Sequence, residues 1–252
     1  MAFNWFNASK LLIPYFTLGD PSISETETLV RGAFDNGAGI VEVGIPFSDP
    51  IADGPVIQAS HLRALSSGES PTISAGFGMV QRVKQDYSKP IVFMLSVNLI
   101  ISYGINEFFN DAKASGLNGV VIPDLPIEEA GDYLAASRKA RVAMVFLVSP
   151  LCSPSRLERI VNATDGFLYL ISTTGTTGTR DTMPADLPEF VAKIKKIRNI
   201  PVAVGFGISK TSHVKSVLTY ADGAIVGSHF VTLLVAEGTP RVIREIAEFA
   251  SV

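Results

Sequence analysis

Eight short apolar runs rich in β-branched residues recur along the chain, each followed by sequence with helical spacing. This alternation constrains the fold more than any other feature. The runs are Leu11–Thr17, Ile40–Ile45, Pro90–Ser96, Gly119–Pro123, Val142–Ser149, Phe167–Ile171, Pro201–Val204 and Ala224–Val226. Helices are expected over Ser24–Asn36, Val56–Leu65, Thr72–Asp86, Asn106–Ala114, Glu128–Ala140, Ser153–Asn162, Leu187–Ile197, Ser209–Tyr220 and Pro240–Ala250. Strands apolar on both faces belong in a parallel sheet covered by helices. Eight such units in 252 residues predict an α/β fold of the closed (β/α)8, or TIM, barrel type. An open doubly wound sheet is the alternative, but no G-x-G-x-x-G follows the first run. No linker or shift in composition divides the chain, so residues 1–252 are expected to form a single domain.

A barrel carries its functional loops at the C-terminal ends of its strands, and the distinctive polar stretches all fall there. They are G-D-P after the first run, F-S-D-P-I-A-D-G after the second, P-D-L-P after the fourth, T-T-G-T-T-G after the sixth, G-F-G after the seventh and G-S after the eighth. Inside the second run, V-E-V-G, Glu42 stands among apolar neighbours, where an ionised carboxylate is costly. A closed barrel has no edge strand to expose it, so an inward carboxyl with a raised pKa, suited to general acid/base work, is expected. Asp53, in A-D-G-P, either organises a turn or brings a second carboxylate to the same pocket. Gly205-Phe206-Gly207 and Gly227-Ser228 follow the last two runs, where this fold holds phosphate on backbone amides and a helix N-terminus. Tight turns are the plainer reading of those glycines. Thr174–Gly178 extends the cradle or forms a lid.

A net charge of −3 and a pI near 5.7 give no reason to expect nucleic acid or an anionic membrane as partner. Cys152 is the only cysteine, which excludes an internal disulfide and a multi-cysteine metal site, and no metal is expected. With no secretory signal and no long charge-free apolar run, a soluble cytoplasmic protein is expected. His61, His213 and His229 are dispersed and receive no catalytic role; His61 is placed beyond the active loop, His213 on an outer helix and His229 at a helix cap.

P-Y-F-T-L-G-D-P (14–21), V-E-V-G-I-P-F-S-D-P-I-A-D-G-P-V-I-Q (41–58), V-V-I-P-D-L-P-I-E-E (120–129), T-G-T-T-G (174–178), V-G-F-G-I-S (204–209) and V-G-S (226–228) together closely resemble the tryptophan synthase alpha chain family. They do so in the family's order and across nearly the whole chain. The resemblance implies retro-aldol cleavage of indole-3-glycerol phosphate to indole and glyceraldehyde 3-phosphate. On that resemblance, Glu42 is the general acid/base and Asp53 accepts the indole N–H; Gly178, Gly207, Gly227 and Ser228 hold the phosphate. Tyr15, Met94, Asp124, Tyr169 and Phe206 match pocket positions. The implied partner is a beta chain carrying pyridoxal phosphate, in an α2β2 assembly, with no cofactor in this chain. Asp49 and the loop Thr173–Asp186, including Thr173 and Thr177, would face that partner as a switch.

Three departures stand beside the resemblance. The family's S-R-x-G-V-T-G reads S-T-T-G-T-T-G here, so Thr173 replaces an arginine and Thr176 an aliphatic residue, and Ser96 stands where a tyrosine is usual. A lost guanidinium fork and lost apolar surface weaken loop closure. Two readings follow: a lyase subunit with reduced activity, or a weak or silent subunit that mainly binds the beta chain and activates it for tryptophan synthesis from salvaged indole. An unrelated phosphosugar isomerase on the same barrel leaves residues 41–58 unexplained.

Overall fold

Each strand pairs in parallel with its neighbours, as expected for apolar runs buried on both faces. The computed structural model describes residues 3–7, 9–50, 53–171, 186–205 and 207–252. Among these, nine strands occur: β1 (Leu11–Thr17), β2 (Val41–Gly44), β3 (Ile91–Met94), β4 (Gly119–Val121), β5 (Ala143–Val145), β6 (Leu147–Val148), β7 (Leu168–Ile171), β8 (Val202–Gly205) and β9 (Gly223–Val226). Their order in the sheet is β5-β4-β3-β2-β1-β9-β8-β7-β6. The two outermost strands, β5 and β6, are separated in the chain by Phe146 alone, so the backbone itself closes the ring.

The fifth expected run is therefore split, for a geometric reason. Ala143–Val145 pairs with β4, whereas Leu147 and Val148 pair with β7. The Phe146 carbonyl accepts from the Tyr169 amide at 3.0 Å. Side-chain alternation runs unbroken through the split: Val145 and Leu147 face the lumen, and Phe146 faces the helices. One strand changes neighbours partway along, as the stagger of a closed barrel requires. The eightfold reading stands.

Eleven helices are seen among the described residues: α1 (Ile23–Asp35), α2 (Pro55–Ser66), α3 (Ile73–Val83), α4 (Val97–Tyr103), α5 (Ile105–Ser115), α6 (Gly131–Ala140), α7 (Pro154–Ala163), α8 (Leu187–Ile197), α9 (Thr211–Val217), α10 (Ser228–Glu237) and α11 (Thr239–Ala250). Local chemistry sets several starts. The Ser22 side chain accepts from the Glu25 amide ahead of α1, and Thr72 accepts from the Ala75 amide ahead of α3. Pro55 and Pro154 sit in the first turns of α2 and α7, where a missing N–H costs nothing. Helices α4 and α10 were not among the expected ones. In V-N-L-I-I-S-Y the β-branched residues mask a helix, and S-H-F-V-T-L-L-V-A-E is too uniformly apolar to show a polar face. No helix among the described residues is long and apolar enough to cross a membrane.

The apolar interior of the described residues has two main parts and a small third cluster of Tyr15, Ile57 and Val231. The larger lies between strands and helices and holds Leu12, Phe16, Val41, Val43 and Phe93. The smaller fills the lumen with Ile13, Ile40, Val92, Val121, Val145, Phe167, Tyr169, Ala203 and Ile225. At the N-terminal end of the strands, Phe6 packs edge-on to Phe167 at 6.0 Å and Trp5 does so at 6.2 Å. Side chains added at Gly119 or Gly166 would strike the Trp5 ring. That mouth of the barrel is sealed by aromatics.

Candidate active site

The polar end of the barrel is assembled from β1, β2, β3, β4 and β7 and the loops that leave the first four. Glu42 is flanked in β2 by Val41 and Val43, both in the outer core, and preceded two residues back by Ile40 of the lumen. Strand alternation thus turns its carboxyl inward. It is 2% exposed, and neither carboxyl oxygen has a hydrogen-bond partner among the described residues. Burial, reinforced by the charge of Asp53, pushes its pKa up to about 8. At neutral pH Glu42 is a protonated acid.

A cleft of about 390 Å³ opens above it, lined by Tyr15, Phe47, Asp49, Asp53, Met94 and Asp124 among others. Tyr15, Asp49, Asp53, Met94 and Asp124 are thereby brought together. Glu42 and Tyr169 are buried, and charge couples each to Asp53 at the cleft. The Tyr169 hydroxyl is driven up by burial and then by Glu42 and Asp53. Asp53 borders this cleft, and Glu42 lies in β2 beside its register partner Tyr15, which also lines it. Two glycines make this layer possible. A Cβ at Gly44 would overlap the Tyr15 hydroxyl, and one at Gly205 would overlap that of Tyr169.

Asp53 sits just ahead of α2, its amide donating to the Pro50 carbonyl at 3.2 Å and its carbonyl accepting from the Gln58 side chain at 2.8 Å. The turn and the pocket readings are both realised. Burial and the charge of Asp124 push its pKa up to about 6, so it is ionised at neutral pH. Asp124 is held by two donors, the Ser96 hydroxyl at 2.6 Å and the Val97 amide at 2.8 Å. Ser96 also accepts from the Asn98 amide at 3.3 Å as the cap of α4. It is more than a lost aromatic: a tyrosine there could neither cap the helix nor grip Asp124 in this way.

Across the mouth, Gly207 has φ +82°, a conformation that favours glycine. Gly227 precedes α10 with no side-chain cap, and Ser228 opens the helix. The amides of its first turn are thus available to an anion. Gly178 and Phe206, and the loop positions Thr173, Thr176 and Thr177, lie outside the described residues. Among the described residues, no group of three or more His, Cys, Asp or Glu side chains is placed to hold a metal ion.

The histidines were misjudged in part. His61 lies in the cleft wall, 5% exposed, with Nε2 3.9 Å from Asp53 Oδ2 and 3.3 Å from the Tyr15 hydroxyl. Burial lowers its pKa, so it is neutral at pH 7 and its approach to Asp53 is proximity rather than an ion pair. Its signal in sequence was only its place two turns into a helix that starts beside Asp53. His229 does not cap a helix; it stacks on Phe249 and meets Glu245 Oε1 at 3.1 Å, tying α10 to α11. His213 lies on α9, as expected.

A family profile described as tryptophan synthase alpha chain matches residues 4–251. The tryptophan synthase alpha chain of Thermococcus kodakarensis is 40% identical over 242 residues, covering 95% of each chain. That of Geobacter sulfurreducens is 40% identical over 245 residues, covering 97% of this chain and 92% of its own. Among solved structures, a chain of Mycobacterium tuberculosis tryptophan synthase superposes with a TM-score of 0.91 at 34% identity, covering 100% of this chain and 98% of its own. One from the tryptophan synthase α2β2 complex of Pyrococcus furiosus gives 0.87 at 40% identity, covering 96% and 98%. Fold, cleft and sequence agree, and the chain belongs to the tryptophan synthase alpha chain family.

Proposed function

We propose that this chain cleaves indole-3-glycerol phosphate to indole and glyceraldehyde 3-phosphate, as a single barrel domain working in the cytoplasm beside a pyridoxal phosphate-carrying beta chain in an α2β2 assembly. The observation that carries this reading is Glu42: a buried, unpartnered carboxyl protonated at neutral pH, with the ionised Asp53 above it. Glu42 delivers its proton to indole C3, making that carbon tetrahedral and the ring cationic. Asp53 accepts the ring N–H and stabilises that charge as it develops. The Glu42 carboxylate then takes the proton of the glycerol hydroxyl next to the scissile bond. As the carbonyl of glyceraldehyde 3-phosphate forms, the C–C bond breaks, its electron pair returns to the ring and indole leaves. Acid and base are one residue, regenerated in its starting state.

Tyr15, Met94, Asp124, Tyr169 and Phe206 are assigned to the pocket. Gly178, Gly207, Gly227 and Ser228 are assigned to the phosphate, which supplies binding energy remote from the bond that breaks. Asp49, Thr173 and Thr177 are assigned to the beta-chain face. Turnover is proposed to be lower than in relatives with an arginine at the Thr173 position, because a threonine offers no guanidinium fork to hold the closed loop. Two rates with a beta chain present test the reading: indole release from indole-3-glycerol phosphate, and tryptophan formation from added indole and serine. Indole release that Glu42→Gln abolishes supports the lyase. Stimulation of the second rate without any of the first would leave only the silent, activating subunit.

A further inference from the structure

Four buried side chains of β1 and α2 and one amide of the β2 loop form a hydrogen-bond chain whose direction can be read off one proton at a time. The Ser60 hydroxyl donates to the Ile57 carbonyl at 2.7 Å. Its single proton is thereby used, so the Thr17 hydroxyl, 2.6 Å away, must donate to Ser60. Thr17 then accepts from the Tyr15 hydroxyl at 3.3 Å. Tyr15 in turn accepts from His61 Nε2 at 3.3 Å. At the far end the Phe47 amide donates to His61 Nδ1 at 3.2 Å, which leaves the imidazole proton on Nε2, as the rest of the chain demands. Tyr15, Thr17, Ser60 and His61 are all buried, so water does not compete for these bonds. Two residues further along α2, Arg63 grips the buried Asp20 of the β1 loop with two bonds of 3.0 and 2.6 Å, which anchors the helix that presents His61.

The single Nε2–H points into a space shared by the Tyr15 hydroxyl and, at 3.9 Å, Asp53 Oδ2. We propose that His61 is a positioning residue for the reaction: its Nδ1 clasps the loop after β2 through the Phe47 amide, and its Nε2–H sets where Asp53 stands to meet the substrate's ring N–H. The clause about substrate rests on the lyase reading above; the clasp itself does not. Hydrogen bonds of this kind are commonly long before substrate arrives and tighten in the complex. A small misplacement of a group that must meet developing charge costs rate more than binding.

The test uses the full chain with a beta chain and three variants. His61→Leu is expected to lower kcat for indole release by roughly tenfold to a hundredfold while KM stays within about twofold. It should also speed hydrogen exchange at the Phe47 amide, read by NMR. In His61→Asn the side-chain oxygen stands near the place of Nδ1 but no donor reaches that of Nε2, so slow Phe47 exchange should return while kcat for indole release stays low. Unchanged kcat or unchanged Phe47 exchange in the leucine variant overturns the assignment, as does an asparagine variant with normal kcat or with Phe47 exchange as fast as in leucine. Should leucine prevent folding, His61→Gln takes its place, since it keeps a donor near Nε2 but no acceptor for Phe47; normal rate and normal exchange there are equally fatal. Nitrogen spectra of the histidine-labelled wild type should show the proton on Nε2, and a proton on Nδ1 contradicts the chain. Wild-type protein that releases no indole sinks the lyase reading alone, and Phe47 exchange then decides the clasp by itself.

Discussion

The two mouths of the barrel are built on opposite principles. At the N-terminal mouth, Trp5, Phe6 and Phe167 meet edge to face and the site holds little but ring surface. At the C-terminal mouth the same lumen ends in Glu42, Asp53, Tyr15, Tyr169 and His61, and the oxygens of Glu42 have no partner among the described residues. One end buries apolar area, which stabilises; the other buries ionisable groups, which destabilises. The cost at the polar end keeps a carboxyl protonated at neutral pH, and a shell of helices common to both ends tolerates it.

The largest expected effect breaks the polar end. Glu42→Gln should reduce indole release by roughly a thousandfold or more, the upper part of the range for general acid/base catalysis. The same change should leave the fold more stable at alkaline pH. Glu42 has a folded pKa of about 8 against 4.5 for a glutamate carboxyl in water, so the native state retains a proton that the unfolded chain has released. Its contribution is full below 4.5 and is lost as pH rises through 8. Denaturant titrations across that range should show a falling stability for wild type and a flatter profile for the glutamine variant, the difference reaching on the order of a few kcal/mol. A wild-type profile already flat would contradict the raised pKa.

The apolar end should respond in the other currency. Phe6→Ala is expected to remove about 3–5 kcal/mol of stability while kcat for indole release stays within about twofold. If kcat falls with stability, the two mouths are coupled and the contrast drawn here fails. Asp53→Asn should cost roughly a hundredfold in kcat and change the pH profile in two ways. Wild type should rise near pH 6 as Asp53 ionises and fall near pH 8 as Glu42 loses its proton. The asparagine variant should lose the lower limb, and its upper limb should move down because the charge opposing Glu42 is gone. An upper limb that stays in place would separate the two carboxyls. The smallest effect belongs to Ser96→Ala, which frees one oxygen of Asp124 and should lower kcat severalfold, roughly the worth of one charge-assisted hydrogen bond. Assays on the isolated variant beside wild type decide it.

Glu42 was legible because a strand's period of two turns any charge between apolar neighbours toward one side, and a closed barrel leaves only the lumen. Asp53, Tyr15, Met94 and Asp124 were legible through a motif with a fixed order. His61 was not, because its role depends on how the first turns of α2 lean on β1, and nothing in a histidine eight residues past Asp53 reports that tilt. Ser96 was read only for what it lacked, since its grip on Asp124 spans two strands' loops and leaves no local pattern. Helices α4 and α10 escaped for a simpler reason: β-branched or uniformly apolar segments carry no helical periodicity to detect.

Gly44 and Gly205 set the height of the floor on which a substrate ring would rest. Each tyrosine reclines into the space a methyl group would fill, so the depth of the well is controlled by two hydrogens rather than by any contact a ligand makes. Alanine at either position would tip a phenol upward and make the chamber shallower, with every polar group still present. The position of each ring is thus set by the backbone opposite it, where a search for binding residues would not look.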